Sequence, residues 1–193
     1  MSHCEVVRLL KLFPIGLFCL FVACGGGGSN SQQPARSLNY VNPPGTGFRL
    51  EVEPATNNTN HLMLNLVGPG CQAIQGIAFT LTSTLTQFTW GNPGGTDPYA
   101  KAGTALTLGA IPLFKTKRPT GADGDLQVGI FQTGAMATTL GNHPIVSVAL
   151  DFPANSTLIS GTQLTLGSKD AQFLDGQRNA QSITIAVGTL TAQ

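Results

Sequence analysis

Residues 74–90 read Ile74-Gln75-Gly76-Ile77-Ala78-Phe79-Thr80-Leu81-Thr82-Ser83-Thr84-Leu85-Thr86-Gln87-Phe88-Thr89-Trp90. Ile77, Phe79 and Leu81 fall on one parity, and threonine recurs on the other. A two-residue period is the repeat of a half-buried strand, whose successive side chains point to opposite faces. Threonine suits the outer face because its branched Cβ is already restricted and fits a pleated surface. The stretch predicts a central strand over Gly76–Thr82, with Thr86–Trp90 as its continuation or the next strand.

The same period recurs on both sides. Gly47–Glu53 sets Phe48, Leu50 and Val52 against Arg49, Glu51 and Glu53, and His61–Val67 puts Leu62, Leu64 and Leu66 on one face. Further along, Ala105–Leu108, Ile111–Lys117, Asp125–Gln132, Pro144–Phe152, Thr162–Ser168, Ala171–Leu174 and Ser182–Leu190 carry short apolar alternations. Pro112 implies that its strand lies at an edge, since it has no N–H for a ladder. Turn signals such as Gly68-Pro69-Gly70 and the long loop Gly91–Gly103 separate these runs, and no stretch has an amphipathic helical period. About nine short strands of this kind predict an all-β chain. A two-sheet β-sandwich is favoured, because medium-sized inward residues fill a layer about 10 Å thick.

Of the 193 residues only 10 % are charged, but 41 % are hydrophobic. The apolar share rules out a disordered chain, which would need low hydrophobicity as well. Arg8, Lys11 and Glu5 lie within residues 1–23, so residues 24–193 hold eight basic and eight acidic side chains. The one basic cluster, Lys115, Lys117 and Arg118, is too small to track phosphates and has no interleaved aromatics, so no nucleic-acid partner is expected.

The N-terminal segment supplies an address. A weakly basic start with Arg8 and Lys11 precedes the apolar run Leu12–Val22, which is too short to span a bilayer and has the length of a signal h-region. The run ends at Phe21-Val22-Ala23-Cys24, followed by Gly25–Gly28. This resembles a bacterial lipoprotein signal: small Ala23 precedes the cut and Cys24 accepts the lipid, while Phe21 departs from the usual leucine. An ordinary secretory signal or an uncleaved anchor is the other reading. The resemblance implies three acyl chains on Cys24, each buried CH₂ contributing about 0.8 kcal/mol, which makes release negligible. Gly25 in place of Asp implies the outer membrane of a Gram-negative envelope. The expected organisation is residues 1–23 as signal peptide, 24–46 as a Gly/Ser/Asn/Pro-rich tether, and 47–193 as the β-sandwich.

Little in the remainder reads as chemistry. Cys4 and Cys19 lie in the signal and lipidation consumes Cys24, so Cys71 is left without a partner for an intramolecular disulfide. After Gly68-Pro69-Gly70 it is expected as a small buried residue at a strand start, the other reading being an exposed thiol. His61 and His143 read as solvent-facing turn residues, and no zinc-type spacing occurs. Asp123-Gly124-Asp125 is short of a calcium loop and reads as a solvated turn. No G-x-S-x-G elbow is present, so neither an enzymatic role nor a cofactor or metal is expected. Phe88, Trp90 and Tyr99 flank the loop 91–103; they read either as core closure at a sheet edge or as a platform that stacks on sugar rings.

The order of features resembles cohesin-type β-sandwich domains of jelly-roll type, related in architecture to some carbohydrate-binding modules. The resemblance rests on Gly76-Ile77-Ala78-Phe79-Thr80-Leu81 as the pattern G-[IV]-x-[FL]-x-[LV], on strands like Leu126–Phe131 and Ile145–Phe152, and on the turn Pro153–Thr157 before Thr162–Leu166. It covers residues 47–190. The Y-[DN]-P-x-x-L turn of cohesins has no counterpart in Thr82–Phe88, so no dockerin-binding residue carries over. The whole chain, with its close Ile183–Gln193, is also similar to uncharacterised proteobacterial lipoproteins. The expected role is that of a lipid-anchored envelope lipoprotein acting as a non-catalytic module that binds or assembles protein partners. The alternative is a carbohydrate-binding sandwich for peptidoglycan or exopolysaccharide, using Trp90, Tyr99 and Phe88.

Overall fold

The Gly76–Ser83 segment does form a central strand, and the chain builds outward from it. The computed structural model describes residues 33–84, 87–109, 113–119, 124–133 and 137–193. Among these, the strands in chain order are β1 (Leu38–Val41), β2 (Arg49–Val52), β3 (His61–Val67), β4 (Ala73–Ile74), β5 (Gly76–Ser83), β6 (Thr89–Gly91), β7 (Ala100–Ala102) and β8 (Leu113–Lys117). They continue as β9 (Leu126–Phe131), β10 (Thr138–Thr139), β11 (Val146–Asp151), β12 (Gln163–Leu164), β13 (Leu166–Leu174), β14 (Ala180–Ser182) and β15 (Thr189–Ala192). A 3-10 turn at Pro54–Thr56 is the one helical element among the described residues, so the fold is all-β as expected. The fifteen strands among the described residues include the two-residue pieces β4, β10 and β12; β4 and β10 pair with each other, and β12 pairs with β15 beside β1.

Two five-stranded antiparallel sheets carry the core. The first runs β2-β3-β11-β6, with β7 also on β11, and the second runs β14-β13-β5-β9-β8. In the first sheet Leu62, Leu64 and Leu66 of β3 stand opposite Leu150, Val148 and Val146 of β11, and all six are buried. In the second, Ile77, Phe79 and Leu81 stand opposite Ile130, Val128 and Leu126, again all buried. Each such side chain contributes roughly 1.5–3 kcal/mol on leaving water. Phe48, just before β2, stacks on Phe173 of β13 with ring centroids 5.6 Å apart, so an aromatic pair ties the sheets together.

The sandwich begins earlier than residue 47. Leu38 and Tyr40 of β1 are buried, as is Ala35, so residues 33–46 belong to the fold and are not tether. β1 pairs with β15 along one side, from Leu38↔Ala192 to Val41↔Thr189. On its other side the Leu38 N–H donates to the Thr59 carbonyl (2.8 Å), and the Tyr40 N–H donates to Asn57 Oδ1 (2.9 Å). Four residues bounded by Ser37 and Asn42-Pro43-Pro44 carry too brief an alternation to stand out from a polar loop. The expected signal peptide and Cys24 lie outside the described residues.

Other expectations need correction. Thr86–Trp90 leads into the next strand and does not continue β5: β6 starts at Thr89 and belongs to the opposite sheet, on β11. Ala105–Leu108 is not a strand; Ala105 and Leu106 are buried in a loop. Thr162–Ser168 and Ala171–Leu174 instead give a short β12 and a long β13, whose register shifts between Lys169 and Gln172 where Asp170 takes a left-handed φ of 53°. Ser182–Leu190 is broken into β14 and β15, and between them the Ala186 backbone bonds to Phe48 and Leu50 beside β2. Gly188 permits that crossing, since a Cβ there would run into the Val41 carbonyl oxygen.

Candidate functional site

The two sheets differ in what their outer faces present. On the first, polar side chains satisfy one another. Arg49 pairs with Glu51 (2.5 Å), Asn65 donates to Glu53 (3.0 Å) and accepts from the Ser147 hydroxyl (2.6 Å), and His61 Nδ1 lies 2.5 Å from Asp151 Oδ1. Two of these pairs follow from register, since Asn65 opposes Ser147 and His61 opposes Asp151, while Arg49–Glu51 lies along β2 and Asn65 reaches diagonally to Glu53. Side chains directly opposite in an antiparallel pair are close enough to bond.

The outer face of the second sheet is different. Its rows, read across the strands, are Leu174–Gly76–Phe131–Leu113, then Gln172–Ala78–Gly129–Lys115, then Lys169–Thr80–Gln127–Lys117. The Phe131 ring lies over Gly76, where a Cβ would run into its Cδ1. A Cβ at Gly129 would lie 3.4 Å from Cε2 at the ring's other end. Phe131 is thereby held as part of the floor, half-buried, and Leu113 beside it is 56 % exposed. A depression of about 280 Å³ opens there, bordered by Leu113, Phe131, Leu174 and Arg178. A second, of about 330 Å³, opens over Ala78 and Gly129 between Lys115, Lys117 and Asp170.

The charges on this face are less committed than those opposite. Lys169 bonds Asp125 at 2.7 Å, and that hydrogen bond holds its ammonium above the ordinary lysine range. Asp175 is held below the usual carboxylate range chiefly by the Asn179 N–H, in the turn that ends β13. The side chains of Lys115 and Lys117, both exposed, make no hydrogen bond or ion pair among the described residues. β8 is the edge strand, as the sequence predicts. The face was legible in the alternation of Leu113, Lys115 and Lys117, but a search for catalytic or metal spacing passes over it.

The residues singled out from sequence fare differently. Phe88 and Trp90 are buried, 1 % and 5 % exposed, and pack edge to face at 6.3 Å. The Trp90 indole N–H donates to the Gly124 carbonyl (2.8 Å), which also accepts from the Ser83 hydroxyl (3.0 Å). Neither ring offers a face to a sugar. Tyr99 is half-buried, with the Arg118 guanidinium 5.8 Å from its ring centroid. Its loop is latched to β8 by Asp97, which accepts from the Thr116 hydroxyl (2.6 Å) and from the Tyr99 and Ala100 N–H groups.

Cys71 is exposed, contrary to the burial expected of it, because it sits in the turn closed by the Gln72 N–H on the Pro69 carbonyl (2.9 Å), outside both strands. His61 stands on β3 beside Asp151 and not in a turn, whereas His143 is exposed in a turn. Asp123 and Cys24 lie outside the described residues. Among the described residues no three His, Cys, Asp or Glu side chains gather as a metal site, and no helix is long and apolar enough to cross a membrane.

No family model matches the chain, and no curated protein matches it. Solved structures do. A type II cohesin domain from the cellulosome of Acetivibrio cellulolyticus is 9 % identical, with a TM-score of 0.52 over 81 % of this chain and 95 % of that one. The sixth cohesin of the same organism's scaffoldin B, solved in complex with a mutant Cel5 dockerin, is 14 % identical, with a TM-score of 0.50 over 79 % of this chain and 96 % of that one. A type I cohesin–dockerin complex from Clostridium thermocellum is 10 % identical, with a TM-score of 0.50 over 83 % and 96 %. The fold is therefore the cohesin-like β-sandwich.

Proposed function

We propose that this chain is a lipid-anchored lipoprotein of the bacterial outer membrane whose β-sandwich is a non-catalytic protein-docking module. The observation that carries the docking reading is the outer face of β14-β13-β5-β9-β8. It combines a floor of Ala78 and Gly129, an apolar end at exposed Leu113 and half-buried Phe131, and lysines whose side chains have no partner among the described residues. Apolar anchors beside uncommitted charge are what a protein interface uses, the anchors for affinity and the charges for steering. Similar folds solved with dockerin partners support a protein as the occupant. The carbohydrate alternative loses its platform with Phe88 and Trp90 in the core.

Capture of the full chain from an envelope fraction tests the docking. A protein is expected to co-purify with the native chain and to be lost with Ala78→Trp, which fills the floor of the face. Nothing above background, or a partner that the variant retains, overturns it.

The anchor rests on Phe21-Val22-Ala23-Cys24 and the glycine run after it. Mass spectrometry of the mature N-terminus is expected to find a triacylated Cys24. An unmodified terminus cut elsewhere removes the anchor from the proposal.

A further inference from the structure

We infer that the open edge of β8 is a second docking surface, which takes an extended, acidic segment of a partner as one more antiparallel strand. It goes beyond the docking role proposed above, because the binding groups are the backbone of an edge and not the side chains of a face.

Edge strands carry a row of unpaired N–H and C=O groups that natural sheets cover or charge. Two of the longer edges here are covered. On β2 the Leu50 N–H donates to the Ala186 carbonyl (3.0 Å) and the Val52 N–H to Asn42 Oδ1 (2.8 Å). On β1 Asn57 imitates a strand, accepting from the Tyr40 N–H (2.9 Å) and donating to the Tyr40 carbonyl (3.2 Å). β6, β7, β12 and β14 are two or three residues long. β8 has five residues, and among the described residues its backbone bonds β9 alone. The neighbouring loop reaches it through side chains, Asp97 on the Thr116 hydroxyl and Tyr99 under Arg118.

The phase of the ladder decides which groups are open. The Gln132 N–H donates to the Gln75 carbonyl (2.8 Å), one step beyond the Gly76↔Phe131 pair. Bonding sides alternate along an antiparallel strand, so Ile130 and Val128 also bond β5, while Phe131, Gly129 and Gln127 bond β8. Their partners are Leu113, Lys115 and Lys117, which leaves the N–H and C=O groups of Phe114 and Thr116 pointing away from the sheet. An extended backbone repeats its own groups at that spacing, about 6.8 Å for every second residue.

Charge selects what the added strand carries. The Lys115 and Lys117 side chains flank the open edge without an ion pair among the described residues. Asp97 is already engaged by the Thr116 hydroxyl and by the Tyr99 and Ala100 N–H groups. A second copy of β8 laid antiparallel would put Lys115 against Lys115, or Lys115 against Lys117, and like charges directly opposite destabilise a pair. The lysines therefore disfavour self-pairing. They select a strand with carboxylates opposite them and an apolar residue opposite Leu113.

The probe is the peptide acetyl-Glu-Val-Glu-Val-Leu-amide, added to the full chain, with hydrogen exchange read residue by residue by NMR. Its glutamates fall opposite Lys117 and Lys115, and its valines opposite Thr116 and Phe114. At saturation the Phe114 and Thr116 N–H groups are expected to exchange about tenfold more slowly or less, while those of Leu113, Lys115 and Lys117, already bonded to β9, change little. N-methylation of both valines, whose N–H groups face β8, is expected to abolish the protection, and N-methylation of both glutamates to keep it. Lys115→Glu with Lys117→Glu is expected to weaken binding about tenfold or more, and Lys115→Arg with Lys117→Arg to retain it. The arginine pair separates loss of charge from loss of fold. No protection at Phe114 and Thr116, or protection indifferent to which residues are methylated, overturns strand addition. Binding that the glutamate pair leaves unchanged overturns the acidic occupant. Docking on the face is decided separately, by Ala78→Trp.

Discussion

Phe48 and Phe173 stack at 5.6 Å with their planes 30° apart, and they come from opposite sheets. Phe48 leads into β2 and Phe173 lies on β13, whose far side belongs to the proposed docking face. The pair thus joins the sheet that holds β2 and β3 to the sheet on which docking is proposed.

Removing either ring leaves a cavity in a close-packed core. Phe48→Ala and Phe173→Ala are each expected to destabilise the fold by about 3–5 kcal/mol in urea unfolding. The double variant should lose less than the sum, with a coupling of about 0.5–1.5 kcal/mol for the aromatic contact itself. Strict additivity would show that the rings act independently.

Tyr40 predicts an alkaline transition. Burial pushes its phenol up to about 12, against an opposing effect of the Gly188 N–H, which donates to its oxygen at 2.6 Å. A group whose pKa is higher folded than unfolded adds stability that is fully present below its unfolded value near 10 and is lost as pH rises through about 12. Unfolding free energy should fall across that window. Tyr40→Phe removes this contribution to the slope and costs about 1–3 kcal/mol at neutral pH, because it leaves the Gly188 N–H without its acceptor. A slope between pH 10 and 12 that is the same in both proteins would contradict the assignment.

Trp90 separates core from surface. Trp90→Phe deletes the indole bond to Gly124, whose carbonyl keeps the Ser83 hydroxyl, so a loss of about 1 kcal/mol is expected by denaturant titration. Glycan-array signals should be the same for variant and native protein. A selective loss of sugar binding with stability intact would revive the carbohydrate reading.

Cys71 lies in an exposed turn, so a thiol reagent should modify it in the native mature protein within the time that it modifies the unfolded chain. Cys71→Ser should abolish that labelling. Protection that disappears only in denaturant would return Cys71 to the interior.

Much of the sandwich could be read from residue alternation, and its failures have physical causes. β3, β5 and β11 each carry three apolar residues on one parity, enough repeats to mark a strand before any partner is known. β1 carries two, and burial of Leu38 and Tyr40 comes from strands more than a hundred residues away as well as from near neighbours. Trp90 looked available because a loop comes after it, yet its burial depends on Gly124, thirty-four positions on. The proposed docking face eluded a search for chemical motifs because its features are small residues and cations with no partner among the described residues. Gly76 and Gly129 count there for what they let Phe131 do.

The double attachment of β1 has a consequence for a protein held at one end. If Cys24 is fixed in a membrane and a partner pulls on the sandwich, tension enters the fold at Ala35–Leu38. There it meets β15 on one flank and the Asn57–Thr59 turn on the other, so force is shared between two sets of hydrogen bonds instead of peeling a single edge. The same short strand that completes the core is then the clamp through which a tethered domain would resist being unravelled from its leash.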